Sequence, residues 1–187
     1  GFLGSGQWFV SFFTLCWRGL LMATAFQKIA ISTALVMGCS FSPWAQAQSL
    51  NQCGNGPLMV GKKQVGMASY FAQNCSQSWK EQTIQMDFSY TQNIPEWAFK
   101  RAATHLLKRN VKDPNIQAIF NPISDLYRPV RSGDLYRLKY NHATQTLSLS
   151  LNQQSLGQLK HPLAQQYFNI WLGPQPFSAK LKQQLLN

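Results

Sequence analysis

The sequence predicts an α+β domain, an antiparallel β-sheet with helices packed on one face. Three observations carry this. Residues 135–151 alternate apolar and polar side chains on either side of a short polar connection, Asn141 to Gln145, the pattern of an antiparallel hairpin. Residues 96–108 repeat apolar side chains at helical spacing. The chain order reads strand, strand, helices, three strands, two helices, without internal repeats.

Gln48 to Gly56 is polar and rich in Gly and Asn, and reads as an opening loop. A hairpin is expected next, residues 58–60 against 65–71 around Gly61-Lys62-Lys63. Thr83 to Tyr90 is a strand in which Ile84, Met86 and Phe88 alternate with Gln85, Asp87 and Ser89, so one face is buried and the other wet. Asn93-Ile94-Pro95-Glu96 has the marks of a helix start, with Asn93 as cap. Phe99, Ala102, Ala103, Leu106 and Leu107 then face inward, leaving His105 on the solvated side. Asp113-Pro114 begins a second helix, which Pro122 is expected to interrupt, with Asn121 capping a short third helix over 123–127.

In the later hairpin Tyr136, Leu138 and Tyr140 face Leu147, Leu149 and Leu151. A short strand, Leu156 to Leu159, follows. His161-Pro162 opens a helix that buries Leu163, Tyr167, Ile170 and Trp171, and Gly173-Pro174 stops it, with Gly173 in a left-handed cap. Ser178 caps a final helix carrying Leu181 and Leu185.

Two regions are expected, a leader over 1–47 and one domain over 48–187. Gly1 opens the chain, and Met22 is the better start, so 1–21 reads as an over-extended N-terminus or, secondarily, a further anchor. Residues 22–47 have the order of a signal peptide: Lys28, an apolar run from Ile29 to Met37, and Ala45-Gln46-Ala47 before the cut. The apolar run is shorter than the roughly 20 residues a membrane span needs. Val36-Met37-Gly38-Cys39 offers an alternative, a lipoprotein box acylated at Cys39. Either route exports the domain, to a periplasm-like compartment.

Of 17 basic residues two, Arg18 and Lys28, fall in the leader, which leaves 15 against 6 acids and a net charge of +9. Inside a cell this excess would suggest nucleic acid. Export removes that partner, and no basic run exceeds two residues. A solvated basic surface is the default reading, weak association with anionic lipid the alternative. Cys53 and Cys75 are an even pair in an oxidising compartment, and they flank the first hairpin, so a disulfide is expected; two free buried thiols is the alternative. No CxxC, Walker loop, nucleophile elbow or metal-ligand spacing occurs, and no cofactor or metal is expected.

The ordered set Gly133-Asp134-Leu135, the hairpin, Asn152 to Gly157 as Asn-x-x-x-Leu-Gly, and Ile170-Trp171-Leu172-Gly173-Pro174, together with Gly54-x-Gly56, resembles the bacterial, exported branch of the chalcone isomerase-like family. The resemblance implies an open-faced β-sandwich and a small apolar or amphipathic ligand, such as a fatty acid. In the plant isomerases an Arg and a Thr on the first strands support cyclisation of a phenolate onto an enone. Those positions fall on or near Met59 and Val65, which neither donate a hydrogen bond nor carry charge. The resemblance therefore disfavours isomerase activity and leaves no catalytic residue assigned. Tyr70, Phe88, Tyr90 and Trp97 are the candidate pocket residues, Ile170 and Trp171 packing anchors. An isomerase or lyase with an unfamiliar site, and a module docking its basic face on the cell envelope, are the alternatives.

Overall fold

The computed structural model describes residues 49–187. The leader, its expected cut at Ala47 and the alternative anchor Cys39 lie outside the described residues.

Six strands follow chain order in one antiparallel sheet: β1 (Asn51–Val60), β2 (Lys63–Ala72), β3 (Ile84–Tyr90), β4 (Leu135–Asn141), β5 (Thr146–Leu151) and β6 (Gln154–Lys160). Alternation puts Ala68, Tyr70, Ile84, Met86, Phe88, Tyr136, Leu138, Leu147 and Leu149 on one face, all buried. The other face is wetter and polar. There Asp87 stands directly opposite Arg137 and accepts two hydrogen bonds from its guanidinium, at 2.9 and 2.7 Å.

The first strand corrects the expected opening loop. Residues 51–56 pair with β2 from Asn51↔Ala72 onward. Asn and Gly weaken a strand by propensity, but packing overrides that here. A Cβ on Gly54 would lie 2.3 Å from the carbonyl oxygen of Gln184, and one on Gly56 2.9 Å from Leu181 Cδ1. The two glycines are thus the groove into which the C-terminal helix settles. Cys53 sits where the register shifts and is bonded to Cys75, just beyond β2, with a Cα separation of 5.3 Å.

The helices are α1 (Glu96–Asn110), α2 (Ile116–Ser124), α3 (Asn169–Leu172) and α4 (Ala179–Leu186). They bury most of the apolar positions expected of them, including Leu106, Leu107, Ile116, Phe120, Ile170, Leu181 and Leu185, but Ala102, expected to face inward on α1, is exposed. Ser178 caps α4, its hydroxyl accepting the Leu181 N–H at 3.2 Å.

Five local expectations change. Asn93 does not cap α1, whose first turn has no side-chain cap. The residue before a proline prefers an extended backbone, and Ile94 uses it to exchange two hydrogen bonds with Val130 instead. Pro122 does not break α2 but lies inside it, near its end, where the carbonyl of exposed Ala118 loses a donor at little cost. No third helix follows; Tyr127 is in a loop. The segment after His161 is a 3-10 turn over Ala164–Phe168 continued by one α turn. Gly173 ends it at φ −72°, outside the left-handed region. Its need for glycine is steric, since a Cβ would come within 2.6 Å of the Asn169 carbonyl oxygen and 2.7 Å of Asn110 Oδ1.

Candidate ligand-binding cavity

Between sheet and helices a cavity opens at one end of the core. Leu58, Gly66 and Tyr90 are neighbours in the register of β1, β2 and β3. Over this corner α1 presents Ala98, Ala102 and Ala103, three short side chains on two successive turns, and the layers do not close. The result is a cavity of about 150 Å³. Leu58, Val65, Phe88 and Tyr90 line it from the sheet and Leu106 from α1. Val65 reaches the wall because the register slips between Leu58 and Met59. Val60 borders the space while 59% exposed, and so marks its opening.

Aromatic rings close the ends. Phe99 stacks on Tyr127 at 5.1 Å and meets Tyr90 and Tyr136 edge-on at 5.6 and 5.5 Å. At the other end Trp171 lies 4.7 Å from Phe88, beside Ile170 and Phe177. Phe177 is held in place by its neighbours' backbone. Asn110 accepts the Gln175 N–H at 2.8 Å and donates to the Gln175 carbonyl at 2.7 Å, and Arg109 donates to the carbonyls of Gln175 and Pro176. The Phe177 N–H itself reaches the Ile170 carbonyl at 2.7 Å.

No Asp, Glu, Lys, Arg or His lines the cavity among the described residues. Its polar groups are phenols. Burial, with a smaller contribution from Tyr136, pushes Tyr90 far above the usual phenol range. Burial does the same for Tyr127, with Tyr167 adding to it. Both stay neutral in any ordinary medium, so they can donate hydrogen bonds but are poor bases. Tyr127 shares a hydroxyl cluster with Tyr167, 3.5 Å away, and Tyr167 lies 3.3 Å from Ser124. Tyr136 donates to the Arg128 carbonyl and accepts its N–H, at 2.8 and 2.7 Å.

Of the four residues expected at a pocket, Phe88 and Tyr90 are in this wall. Tyr70 is buried but not in the wall: it pairs with Gly54 and Met86, at the end that α4 fills. Trp97 is 61% exposed, on the outer side of α1 with Arg101, His105 and Lys108. Met59 points outward, half-exposed, while Val65 is in the wall. The two positions suggested by the plant isomerases therefore supply no donor to the cavity. Sequence reasoning missed Tyr127 and Phe177 because both sit in loops, where no periodicity marks an inward side. Ile170 and Trp171, expected as packing anchors, both pack and line the space.

Among the described residues no group of three or more His, Cys, Asp or Glu could hold a metal ion, and no helix is long and apolar enough to cross a membrane.

Comparison with known proteins agrees with this architecture. The crystal structure of a fatty-acid binding protein from Arabidopsis thaliana shares the fold with a TM-score of 0.60 at 14% identity, over 78% of this chain and 90% of that one. No curated protein sequence matches the chain. Residues 68–187 match the chalcone isomerase-like family model, which takes in strands β3 to β6, helices α1 to α4 and most of the cavity wall; the chain belongs to the chalcone isomerase-like family.

Proposed function

We propose that this domain is a non-catalytic binding protein for a small apolar or amphipathic molecule, held between the sheet and α1. One observation carries the reading: the cavity wall is apolar and aromatic, with neutral phenols as its ionisable groups. Cyclisation or elimination needs a base, or a cation where an anion develops, and the wall offers neither. The Arabidopsis structure, a fatty-acid binding protein of the same fold, supports an acyl-type ligand. Size narrows this. Drug-sized ligands occupy roughly 300–1,000 Å³, so about 150 Å³ takes a ring or the end of an acyl chain, with the remainder leaving past Val60. At roughly 0.8 kcal/mol per buried methylene, about five methylenes contribute roughly 4 kcal/mol, near millimolar affinity on their own. The ligand is therefore one that gains from a second contact or is locally abundant, as a membrane-derived molecule is.

The test is displacement of the neutral fluorophore N-phenyl-1-naphthylamine. Saturable binding is expected, displaced by medium-chain lipids and abolished by Ala98→Trp, which fills the space. A folded Ala98→Trp variant that binds as well as the native protein would refute the site.

The outer face of α1 supports a second reading, contact with an anionic lipid surface. Exposed Trp97 beside Arg101, His105 and Lys108 is the mixture that favours a bilayer interface, and the inner side of the same helix forms the cavity wall. Sedimentation with anionic liposomes should fall with salt and with Trp97→Ala; binding unaffected by either would end this reading. The Cys53–Cys75 bond fits an oxidising, periplasm-like compartment reached through the expected leader.

A further inference from the structure

The tyrosines around the cavity differ in one respect. Tyr136 satisfies both its hydrogen-bonding capacities on Arg128, and Tyr127, Tyr167 and Ser124 are grouped together. Tyr90 is 8% exposed, and among the described residues no hydrogen bond of its hydroxyl is seen. Buried hydroxyls are normally partnered, because losing water without replacement is costly. Yet no side-chain nitrogen or oxygen there is both fully enclosed and unpartnered. The Tyr90 oxygen is therefore not fully enclosed. Its ring is walled by Phe99 and Tyr136, and the residue lines the cavity.

Resting on the reading of this cavity as a ligand site, we propose that Tyr90 is its polar anchor, donating a hydrogen bond to an uncharged oxygen of the ligand. The class of ligand follows: an apolar ring or chain whose buried end is a ketone, ester, ether or alcohol rather than a carboxylate. A buried carboxylate requires a cation or several donors to offset its lost hydration, and the wall holds no cation. A fatty acid would have to keep its charged end outside, past Val60. A neutral ligand can enter polar end first and complete the partnership that Tyr90 lacks. The neutrality of the buried phenol agrees with this role, since it remains a donor at any physiological pH.

The experiment compares 2-nonanone with nonanoate and with toluene, which has no acceptor, by calorimetry on the native protein and on Tyr90→Phe at neutral pH. The ketone is expected to bind at least about tenfold more tightly than the carboxylate, and Tyr90→Phe to weaken the ketone about five- to tenfold while leaving toluene unchanged. Retained toluene binding also reports that the variant is folded. Independently of any variant, the carbonyl stretch of bound ¹³C-labelled 2-nonanone should fall below its frequency in hexane. An unchanged ketone affinity in Tyr90→Phe, or an unshifted carbonyl stretch, overturns the anchor while toluene binding leaves the cavity standing. Nonanoate binding as tightly as the ketone overturns the ligand class. Failure of ketone and toluene alike removes the cavity reading, and the anchor with it.

Discussion

Gly54→Ala tests how the last helix of the chain meets the first strand. The added methyl would sit 2.3 Å from the Gln184 carbonyl oxygen and 2.5 Å from that of Leu185. Both are backbone atoms, so no side-chain rotation relieves the overlap. Gly54 is not in the left-handed region, and alanine meets no conformational obstacle there; the whole effect is steric. Two limits bound the cost. If α4 shifts enough to admit the methyl, overpacking costs about 1–3 kcal/mol. If α4 leaves, the burial of Leu181 and Leu185 is lost, roughly 1.5–3 kcal/mol each, partly offset by the freedom the tail regains. We expect a loss of about 3 kcal/mol, or on the order of 10 °C in Tm for a domain of this size. Urea unfolding measures the stability, and amide exchange at residues 181–185 tells whether the helix moved. Asn55→Ala is the control: Asn55 is exposed and its replacement should cost under about 0.5 kcal/mol. A Gly54→Ala protein that melts with the native one, with α4 amides equally protected, refutes the docking argument.

Three further outcomes are expected. Replacing Cys53 and Cys75 by Ser, or reducing them, should cost about 3 kcal/mol, because a bond spanning 22 residues restricts the unfolded chain; equal denaturation midpoints with and without reductant would contradict this. Alkali should unfold the domain through its buried phenols. Tyr90 and Tyr127 have folded-state pKa values above their unfolded ones, so the native state holds protons that the unfolded state releases. Stability is then complete below about pH 10 and falls above it by roughly 1.4 kcal/mol per pH unit for each tyrosine. A flat stability profile from pH 10 to 11.5, with free tyrosine absorbance appearing in folded protein, would contradict the burial argument. Asn110→Ala removes the hydrogen bonds that hold Gln175 and, through it, Phe177; stability should drop about 1–2 kcal/mol and the naphthylamine probe should dissociate faster. An unchanged off-rate would show that the order of Phe177 does not control ligand exit.

The elements most legible in the sequence were those with a strict period. β3, β4 and β5 announce themselves by alternation, and α1 by its apolar stripe, because each buries one face and leaves the other wet. Where a residue's role depends on a distant neighbour, local reading failed. Gly54 and Gly56 look like loop residues until α4 lies across them. Pro122 looks like a helix breaker until the exposure of Ala118 removes the penalty. Trp97 and Tyr70 qualified as pocket residues by chemistry, but one faces water and the other lies under α4.

Composition and periodicity alone determined an α+β domain with one wet sheet face, and spacing pointed to a disulfide between Cys53 and Cys75. The resemblance to the chalcone isomerase-like family, not composition, singled out Met59 and Val65, which carry no charge. Only the tertiary structure decided where the interior stays open. A cavity is a failure of two layers to meet, here where the alanines of α1 face Tyr90 and Phe88, and no single segment records how far its partner stands away.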